Sequence, residues 1–574
     1  MPRPFLPAIA LPILLTAMRT PAAPMSNSLF SAPADNDLQS VVQLFQADES
    51  DLSRLYPIST SDRAMARRRE WLKSWQSRVG QIRAEELSPA GVADQFLFKN
   101  YLAKELRELE ITQARQEKIR LIVSFAPRIA GLDEARRQME IPDAPKVAQS
   151  LTDLSVEVIA ATKKLDEPTF PATEGYAALG LSRQLRDVLS HWFTYYNGYD
   201  PLFTWWVEAP YRELSKNLDA FVTALEKKVN GDAKAPIVGQ AAGRDALLAD
   251  LAYEQIPYSP EELIAIGEKE YAWCEAEMKR AAKELGFGDD WKKALEHVKQ
   301  QYVEPGQQPA LIKKLALEAI EFVEKRDLVT VPPEAKSSWG MEMMSPERQL
   351  VNPFFLGGDT IIVSYPTNGM TQEQKMMSMR GNNPYFSRAT VQHELIPGHH
   401  LQGYMEARYR PYRQQFSTPF WTEGWALYWE MLLWDLGFPN TPEERIGMLF
   451  WRMHRCMRIE FSLKFHLGQM TPAQCVDLLV DRVGHERATA EGEVRRSLNG
   501  SYPPLYQAAY MIGGLQFRAL HRELVDSGKM TNRQFHDAIL RENNIPVAAL
   551  RAILEKQPFP ATGLPAWRFY DTAK

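Results

Sequence analysis

Histidine and glutamate are concentrated in one short stretch of this chain, in a combination that suits a metal ion. Three of the ten histidines, His393, His399 and His400, fall within residues 393–400, and Glu394 directly follows the first of them. Neutral imidazoles together with carboxylates are the donor groups of hydrolytic zinc sites. The clustering therefore predicts metal binding rather than histidines scattered through a core.

The spacing excludes the regular zinc-protease helix, in which two histidines four residues apart face the metal together. The residue four positions after His393 is Pro397. In an undistorted helix His399 would lie about 240° around the axis and about 9 Å along it from His393. Pro397 and Gly398 favour a bulge or a break in the helix that would bring His399 to the metal. We therefore predict His393 and His399 as ligands, with His400 as the alternative second ligand.

Glu423 is the best third ligand. It lies 29 residues after Glu394, in a stretch (residues 421–428) whose other side chains are largely apolar. A carboxylate buried there needs a partner, which zinc would supply. Two alternatives remain open: Glu430, seven residues further on the same helix face, could be the ligand instead, or Glu423 could pair with one of the nearby arginines, which are Arg408, Arg410 and Arg413.

Glu394 is not needed as a ligand and is the candidate for proton transfer. A carboxylate beside a zinc ligand can accept a proton from the attacking water, which is the role of a general base. We therefore assign Glu394 to proton transfer rather than to ligation.

Most of the chain has the composition and periodicity of helices. Good helix formers with apolar residues at helical spacing predict helices over residues 62–87, 92–120, 145–165 and 210–230. A hydroxyl residue, a proline and a Glu or Gln at fixed spacing predict helix starts at Ser259, Thr441 and Thr471. Gly468 is expected to close the helix that begins at Thr441.

One segment has the character of a strand. Residues 359–366 are rich in β-branched side chains and lie between glycines and a Pro-Thr-Asn-Gly turn. The strand could bind an extended substrate by backbone pairing, or it could belong to a small structural hairpin. The predicted fold is mainly α, with two lobes around a central cleft: a helical N-terminal lobe (residues 25–335) and a catalytic lobe (residues 336–574).

Composition places the chain among large globular proteins. It has 574 residues, of which 45% are hydrophobic and 24% are charged. A net charge of −5 gives no basic surface of the kind that binds nucleic acid. The three cysteines, Cys274, Cys456 and Cys475, are far apart and are expected to pack as small apolar residues.

The N-terminus resembles an export signal. A basic start, a short apolar run and small residues make residues 1–24 a predicted signal peptide. The protein is then expected to be exported, to the periplasm or beyond the cell. It would instead be cytoplasmic if translation starts at Met25. No stretch is apolar and long enough to predict an integral membrane span.

Two motifs carry a resemblance to a known family. The sequence HELIPGHHLQ (residues 393–402), followed by TEGWALY (residues 422–428), resembles the bacterial domain-of-unknown-function 885 family, DUF885. Residues 491–497 and 505–513 also resemble family motifs, and the likeness extends from about residue 40 to 570. The resemblance implies an often exported, gluzincin-like zinc metallopeptidase with the fold of helical carboxypeptidases and oligopeptidases. It implies one Zn²⁺ ion held by the predicted ligands His393, His399 and Glu423, with Glu394 as the base.

Further residues downstream could assist such a reaction. Peptide hydrolysis passes through an oxyanion that needs a donor besides the metal, and related helical peptidases place a Tyr or His opposite the zinc helix. Tyr510 is our candidate, and a core aromatic position is the alternative; His466 is a weaker candidate. Arg495 and Arg496 could bind a substrate carboxylate or form a solvated surface pair.

These observations lead to one main expectation and two alternatives. We expect a zinc-dependent hydrolase that cleaves peptide bonds in a peptide substrate, with Glu394 and Tyr510 as catalytic residues. The alternatives are a zinc amidase acting on a non-peptide C–N bond, and a catalytically inactive helical protein that binds peptides. The sequence does not specify the oligomeric state or the substrate side chains.

Overall fold

The protein is described here by a computed structural model, which covers residues 37–165, 170–230, 237–349, 357–560 and 563–570. The predicted signal peptide, residues 1–24, lies outside these ranges. The described chain is mainly helical with one small sheet, so the predicted fold class is confirmed.

In the described part of the chain, fourteen helices end before the histidine segment, residues 393–400. They are α1 (Gln39–Leu55), α2 (Asp62–Gln81), α3 (Pro89–Arg120), α4 (Ala126–Arg137), α5 (Ala144–Lys164), α6 (Ala172–Tyr196), α7 (Pro201–Asn230), α8 (Arg244–Tyr253), α9 (Pro260–Glu284), α10 (Trp291–Lys299), α11 (Gln308–Lys325), α12 (Pro333–Ser338), α13 (Pro346–Gln349) and α14 (Gln372–Gly381).

The remaining helices form and follow that segment. They are α15 (Pro384–Glu394), α16 (His399–Glu406), α17 (Pro419–Asp435), α18 (Pro442–His466), α19 (Pro472–Leu478), α20 (Arg487–Leu498), α21 (Tyr506–His521), α22 (Asn532–Glu542) and α23 (Val547–Leu554). Short 3-10 segments occur at Ala84–Glu86 and Pro411–Phe416, and single π turns occur at Leu479–Val483 and Arg522–Asp526.

The predicted helix starts are confirmed by their capping contacts. The side chains of Ser259, Thr441 and Thr471 each accept a hydrogen bond from the backbone N–H three residues on. Gly468, with a φ of 72°, follows the end of α18 as predicted. The start predicted at residue 210 is wrong: α7 already begins at Pro201, because Asp200 caps it by accepting the N–H groups of the next residues.

Two large hydrophobic cores organise the helices. One lies among α4, α5, α6 and α7, with Trp192, Phe203 and Phe221 fully or almost fully buried. The other joins α1–α3 to the helices from α8 onward, and it contains Trp421, Trp425 and Trp429 of α17. The helices that carry the histidine segment therefore sit in the larger core. The lobe boundary predicted at residue 335 stays a prediction.

The sheet consists of β1 (Gly340–Met343) and β2 (Thr360–Val363), which pair in parallel with Gly340 opposite Thr360. The predicted strand at 359–366 thus exists, although it is shorter, and its partner is parallel rather than the antiparallel neighbour of a hairpin. Ile361 and Val363 of β2 pack with residues of α15 in a third, small core. The strand therefore supports the helix that carries His393.

Two further predictions concern membrane spans and cysteines. No helix among them is both long and apolar enough to cross a membrane. The three cysteines are buried free thiols, as expected for small apolar residues in a core.

Candidate metal centre

The first ligand candidate sits at the end of a well-capped helix. The Asn383 side chain accepts the N–H groups of Tyr385 and Phe386, both at 3.0 Å, and Pro384 occupies the first turn of α15. These features fix the start of the helix. The helix ends at Glu394, so both members of the His-Glu pair lie in its last turn.

Of the bulge and the break expected at Pro397 and Gly398, the structure has the break. The N–H of Gly398 folds back to donate to the carbonyl of Gln392 at 3.0 Å. A Cβ atom at position 398 would overlap the carbonyl oxygen of His393, so only glycine permits this close return. The next helix, α16, begins at His399. Two separate helices therefore present the two histidines to one point.

The third candidate comes from α17, which crosses α21 at a contact between two glycines. A Cβ atom at Gly424 would lie 2.6 Å from the Cα atom of Gly513. No larger residue fits such an approach, because the distance between two packed helices depends on the size of the side chains at their contact. The contact sets the distance of Glu423, the neighbour of Gly424, from the side chains on α21.

His393, His399 and Glu423 converge. Oε2 of Glu423 lies 3.6 Å from Nε2 of His393 and 3.3 Å from Nε2 of His399. The two imidazole rings stand at 89° with centroids 4.8 Å apart. Donor atoms of a tetrahedral zinc ion, with bonds near 2 Å, are about 3.4 Å apart. In the described part of the chain these three residues form the single group of His, Cys, Asp or Glu with metal-ligand spacing.

Neighbouring side chains orient the three candidates. Nδ1 of His393 is 2.7 Å from Oε1 of Glu430, and Nδ1 of His399 is 2.7 Å from Oε1 of Gln402. With the Nδ1 hydrogens donated to these oxygens, each Nε2 is left to face Glu423. Such partners on the far ring nitrogen are usual for histidines that bind metals.

The two carboxylate oxygens of Glu423 have different surroundings. Tyr506 donates its hydroxyl to Oε1 at 2.5 Å. Oε2 is buried without a hydrogen-bond partner and faces the two Nε2 atoms. A buried carboxylate oxygen without a donor is costly, and a cation between Oε2 and the imidazoles would remove that cost. The three residues therefore fit a zinc ion.

The pKa values of the group reflect the same proximity. Burial alone would raise the pKa of Glu423, but the nearby imidazoles of His393 and His399 hold that pKa well below its usual value. Burial alone would lower the pKa of His399, but the Glu423 carboxylate raises it to about 9. The pKa of His393 is also raised, by Glu423 and Glu430 against the effect of burial.

Glu394 and Tyr510 border the same group. Burial raises the pKa of Glu394, and the charges of His393 and His399 partly offset the rise. A Cβ atom at Gly357 would collide with the Glu394 carboxylate, so the backbone just before β2 lies against it. The Tyr510 ring is nearly parallel to that of His393, at 14° and 6.3 Å between centroids.

The arginines offered as partners for Glu423 are engaged elsewhere. Arg413 is fully buried between Asp94, at 2.7 Å, and Glu542, at 2.5 Å. Arg410 also lies near Glu542, and Arg408, just after α16, donates to the backbone carbonyl of Tyr404. An ion pair between these arginines and Glu423 is therefore not the arrangement in the structure.

Other candidates lie outside the group. Nε2 of His400 is 2.9 Å from the carbonyl oxygen of Ala335, so its ring turns away from Glu423. The ring of His466 is bonded to the N–H of Ala242. Arg496 is bound by Glu493 at 2.6 Å. Glu430, considered as a ligand, is instead the hydrogen-bond partner of His393.

Tyr506 and Arg455 were not anticipated. Tyr506 lies one helical turn before Tyr510, and this i, i+4 spacing on one face of α21 was a usable signal. Arg455 lies on α18, where its guanidinium carbon is 4.7 Å from the centre of the Tyr510 ring. Nothing in the local sequence distinguishes it from the paired arginines of the same helix, because only the packing of α18 against α21 brings it there.

Comparisons with known proteins place the fold and the family. Two solved structures share the fold: a Shewanella oneidensis protein described as a candidate lipoprotein of unknown function (17% identity, 90% of this chain and 100% of that chain covered, TM-score 0.69) and a candidate lipoprotein from Colwellia psychrerythraea (16%, 91% and 99%, TM-score 0.55). No protein of curated function matches the chain. The family described as "Bacterial protein of unknown function (DUF885)" matches residues 53–554, and this chain therefore belongs to the DUF885 family.

Proposed function

We propose that the protein is a zinc-dependent hydrolase that cleaves peptide bonds, a gluzincin-like metallopeptidase. The observation that carries the proposal is the convergence of His393, His399 and the unpartnered Oε2 of Glu423 beside Glu394. A structural ion-pair cluster would need neither an orphaned carboxylate oxygen nor a further glutamate at this point. Hydrolytic zinc sites need both a third ligand and a base.

His393, His399 and Glu423 would hold the ion. When bound there, Zn²⁺ supplies a Lewis acid that polarises the scissile carbonyl and makes the attacking water more acidic. Glu430 and Gln402 fix the orientation of the two imidazoles through their Nδ1 atoms. Tyr506 holds the other oxygen of Glu423. The protein's own residues thus fix the geometry before any substrate arrives.

Glu394 and Tyr510 would carry the proton and charge transfers. Glu394 accepts a proton from the attacking water and delivers it to the departing nitrogen. Its raised pKa makes it a stronger base than an exposed glutamate. Tyr510 donates its hydroxyl to the oxyanion that forms at the carbonyl; burial raises its pKa, so the hydroxyl keeps its proton.

Export fits the same proposal. The two solved structures that share the fold are described as candidate lipoproteins, which are exported proteins. Together with the predicted signal peptide at residues 1–24, this supports a location outside the cytoplasm.

The Glu394→Gln variant tests the proposed reaction. We expect wild-type protein loaded with one zinc ion to cleave a defined peptide mixture, and the variant to be slower by about 100- to 10,000-fold, the usual contribution of a general base. Zinc content, measured by elemental analysis, should be unchanged. Glu373→Gln, on the exposed surface of α14, is the matched control.

The outcomes distinguish the competing functions. Full activity of Glu394→Gln would refute the assigned base. Cleavage of acylated small molecules, with no cleavage of peptides, would indicate an amidase. Zinc-free wild-type protein that binds peptides without cleaving them would indicate an inactive binding protein.

A further inference from the structure

Arg455 is a buried cation whose guanidinium lies near the rings of Trp451 and Tyr510. Its residue is 6% exposed, its Nε is buried without a hydrogen bond, and no ion pair joins it to any residue that the structure describes. The arginines one turn to either side on α18 are paired: Arg452 with Glu270 at 2.9 Å and Arg458 with Glu493 at 2.6 Å. A buried guanidinium that lacks an ion pair is strongly destabilising, so its retention calls for a ligand.

Arg455 lies beside the candidate metal centre. Its guanidinium carbon is 4.7 Å from the centre of the Tyr510 ring, and that of Arg458 is 4.5 Å from the same ring. The Tyr510 ring in turn lies 6.3 Å from that of His393. Arg455 is also close enough to lower the pKa of Glu394. A group bound by Arg455 would therefore lie within reach of the proposed reaction.

The charges around Arg455 leave an excess of cation. The Glu493 carboxylate is shared by Arg458, at 2.6 Å, and Arg496, also at 2.6 Å. With Arg455, three guanidiniums face one carboxylate. Nη1 of Arg458 is also buried without a partner. Burial lowers the pKa of the nearby His485 to about 3, so that ring adds no charge at neutral pH.

The nearest carboxylates of the metal centre do not neutralise Arg455. Glu430 and Glu423 act on its pKa through space, but neither lies within ion-pair distance of it. Glu430 is bonded to His393, and Glu423 to Tyr506. Both acids therefore have other partners, and the Nε donor of Arg455 is left without an acceptor.

We propose that Arg455, together with the free Nη1 of Arg458, binds the C-terminal carboxylate of the substrate, so that the protein is a carboxypeptidase. The proposal rests on the proposed zinc hydrolase. A guanidinium presents parallel N–H donors that match a planar carboxylate. The carbon of a terminal carboxylate is three bonds from the scissile carbonyl carbon, within one residue length of about 3.8 Å. This short span suits an anion site one aromatic ring away from His393.

The reaction then releases one residue at a time. Water adds across the last C–N bond: the carbonyl carbon gains the hydroxyl group, and the nitrogen of the departing residue takes a proton. The products are a free amino acid and a peptide one residue shorter.

Paired peptides separate carboxylate recognition from turnover. The probes are N-acetyl-Ala-Ala-Leu with a free C-terminal carboxylate, the same peptide as a carboxamide, and matched sets in which the last residue is varied. Binding is measured by calorimetry on zinc-loaded Glu394→Gln protein, which needs no turnover. Hydrolysis is measured on the wild type. We expect the free acids to bind at least 10-fold more tightly than the amides, as for hydrogen bonds to charged groups.

Substitution of Arg455 should remove this preference. Arg455→Met should lower kcat/KM for the free acids by roughly 10- to 100-fold and leave the amides nearly unchanged. Arg455→Lys keeps the charge but loses the paired donors, so an intermediate loss is expected. Arg445→Met is the matched control, because Arg445 lies on the same helix and pairs with Glu284 at the surface. Because Arg455→Met removes a buried charge that has no ion pair, we expect it not to lower the melting temperature. An unlowered melting temperature is the check that the variant is folded.

The results can contradict the two proposals separately. Selective binding of free acids without any hydrolysis would leave the carboxylate site standing and refute the hydrolase. Equal binding or equal hydrolysis of acid and amide, no measurable binding of either, or an undiminished preference in Arg455→Met would each overturn the carboxylate site.

Discussion

At the scale of single residues, Glu493 is the carboxylate that binds two of the three arginines beside the candidate site. It is 5% exposed and accepts hydrogen bonds from Arg458 and Arg496. Burial alone would raise its pKa, but the two guanidiniums lower it to about 2. The carboxylate is thus charged at every pH at which the protein is expected to work, and it holds Arg458 against the Tyr510 ring.

This pKa makes a prediction about stability in acid. A carboxyl whose pKa is lower in the folded state than in the unfolded state, where it is about 4.3, stabilises the fold above that value. The contribution is lost as the pH falls from there toward 2. We expect Glu493→Gln to cost about 3 kcal/mol at pH 7 and roughly 2 kcal/mol less than that at pH 3. Urea unfolding of both proteins over this pH range provides the measurement, and a difference that does not vary with pH would contradict the prediction.

At the scale of elements, the contact of α17 with α21 links the ligand to the groups around it. α17 carries Glu423 and Glu430, and α21 carries Tyr506 and Tyr510. The close approach of Gly424 to Gly513 sets how far apart these two pairs lie. A change in that approach would therefore move Glu423, the candidate ligand, and Glu430, which orients His393. It would also move both relative to Tyr510, the candidate oxyanion donor.

Adjacent glycines on α21 allow a matched test of this contact. In Gly513→Ala the new methyl group would collide with the carbonyl of Phe420, and we expect a loss of about 3 kcal/mol in unfolding free energy and weaker zinc binding. In Gly514→Ala the nearest atoms lie at 3.4 Å, an ordinary contact, so stability should stay within about 1 kcal/mol. Thermal unfolding and zinc titration of both variants decide the matter; similar behaviour of the two would exclude the proposed role of the contact.

Local sequence rules predicted some elements well and others poorly. The capped starts at Ser259, Thr441 and Thr471 were predictable because a cap is made by residues three positions apart. The parallel partner of β2 was not, because β1 lies 20 residues earlier in register and no local signal records the pairing. The interruption after Glu394 was predictable from Pro397 and Gly398, since both act on their own backbone, although the sequence left a bulge and a break as alternatives.

The same division applies to the candidate site. His393, His399, Glu394 and Glu423 could be named from the sequence because motif spacing and an acid in an apolar stretch are visible there. Gln402 lies three residues after His399 on α16, so its contact also follows from local spacing. The contacts of Tyr506 with Glu423 and of Arg455 with Tyr510 join separate helices, and a single sequence does not record that packing.

At the scale of the whole molecule, the candidate metal centre joins three helices of the larger core. His393 lies at the end of α15, His399 at the start of α16 and Glu423 within α17. A ligand that binds only the folded protein adds its binding free energy to stability. Zinc is therefore expected to stabilise the entire fold and not only the break between α15 and α16.

Metal removal tests this linkage. Chelation should lower the melting temperature, and added zinc at 100 times its Kd should restore about 2.7 kcal/mol of stability. His399→Ala should abolish the response to zinc, whereas His191→Ala, at an exposed position of α6, should retain it. A melting temperature that does not respond to zinc in the wild type would argue against the centre.

The turn between α15 and α16 also affects how such centres are found in other sequences. When both histidines lie on one helix, the helix pitch dictates their spacing, and a search pattern with two intervening residues between Glu and the second His will find them. Here the turn at residues 395–398 sets the distance between the rings, so four residues separate Glu394 from His399. A search built on the pitch passes over this chain. A search that allows a Pro-Gly turn between the two histidines, and asks for an acid in a later apolar helix, would find it.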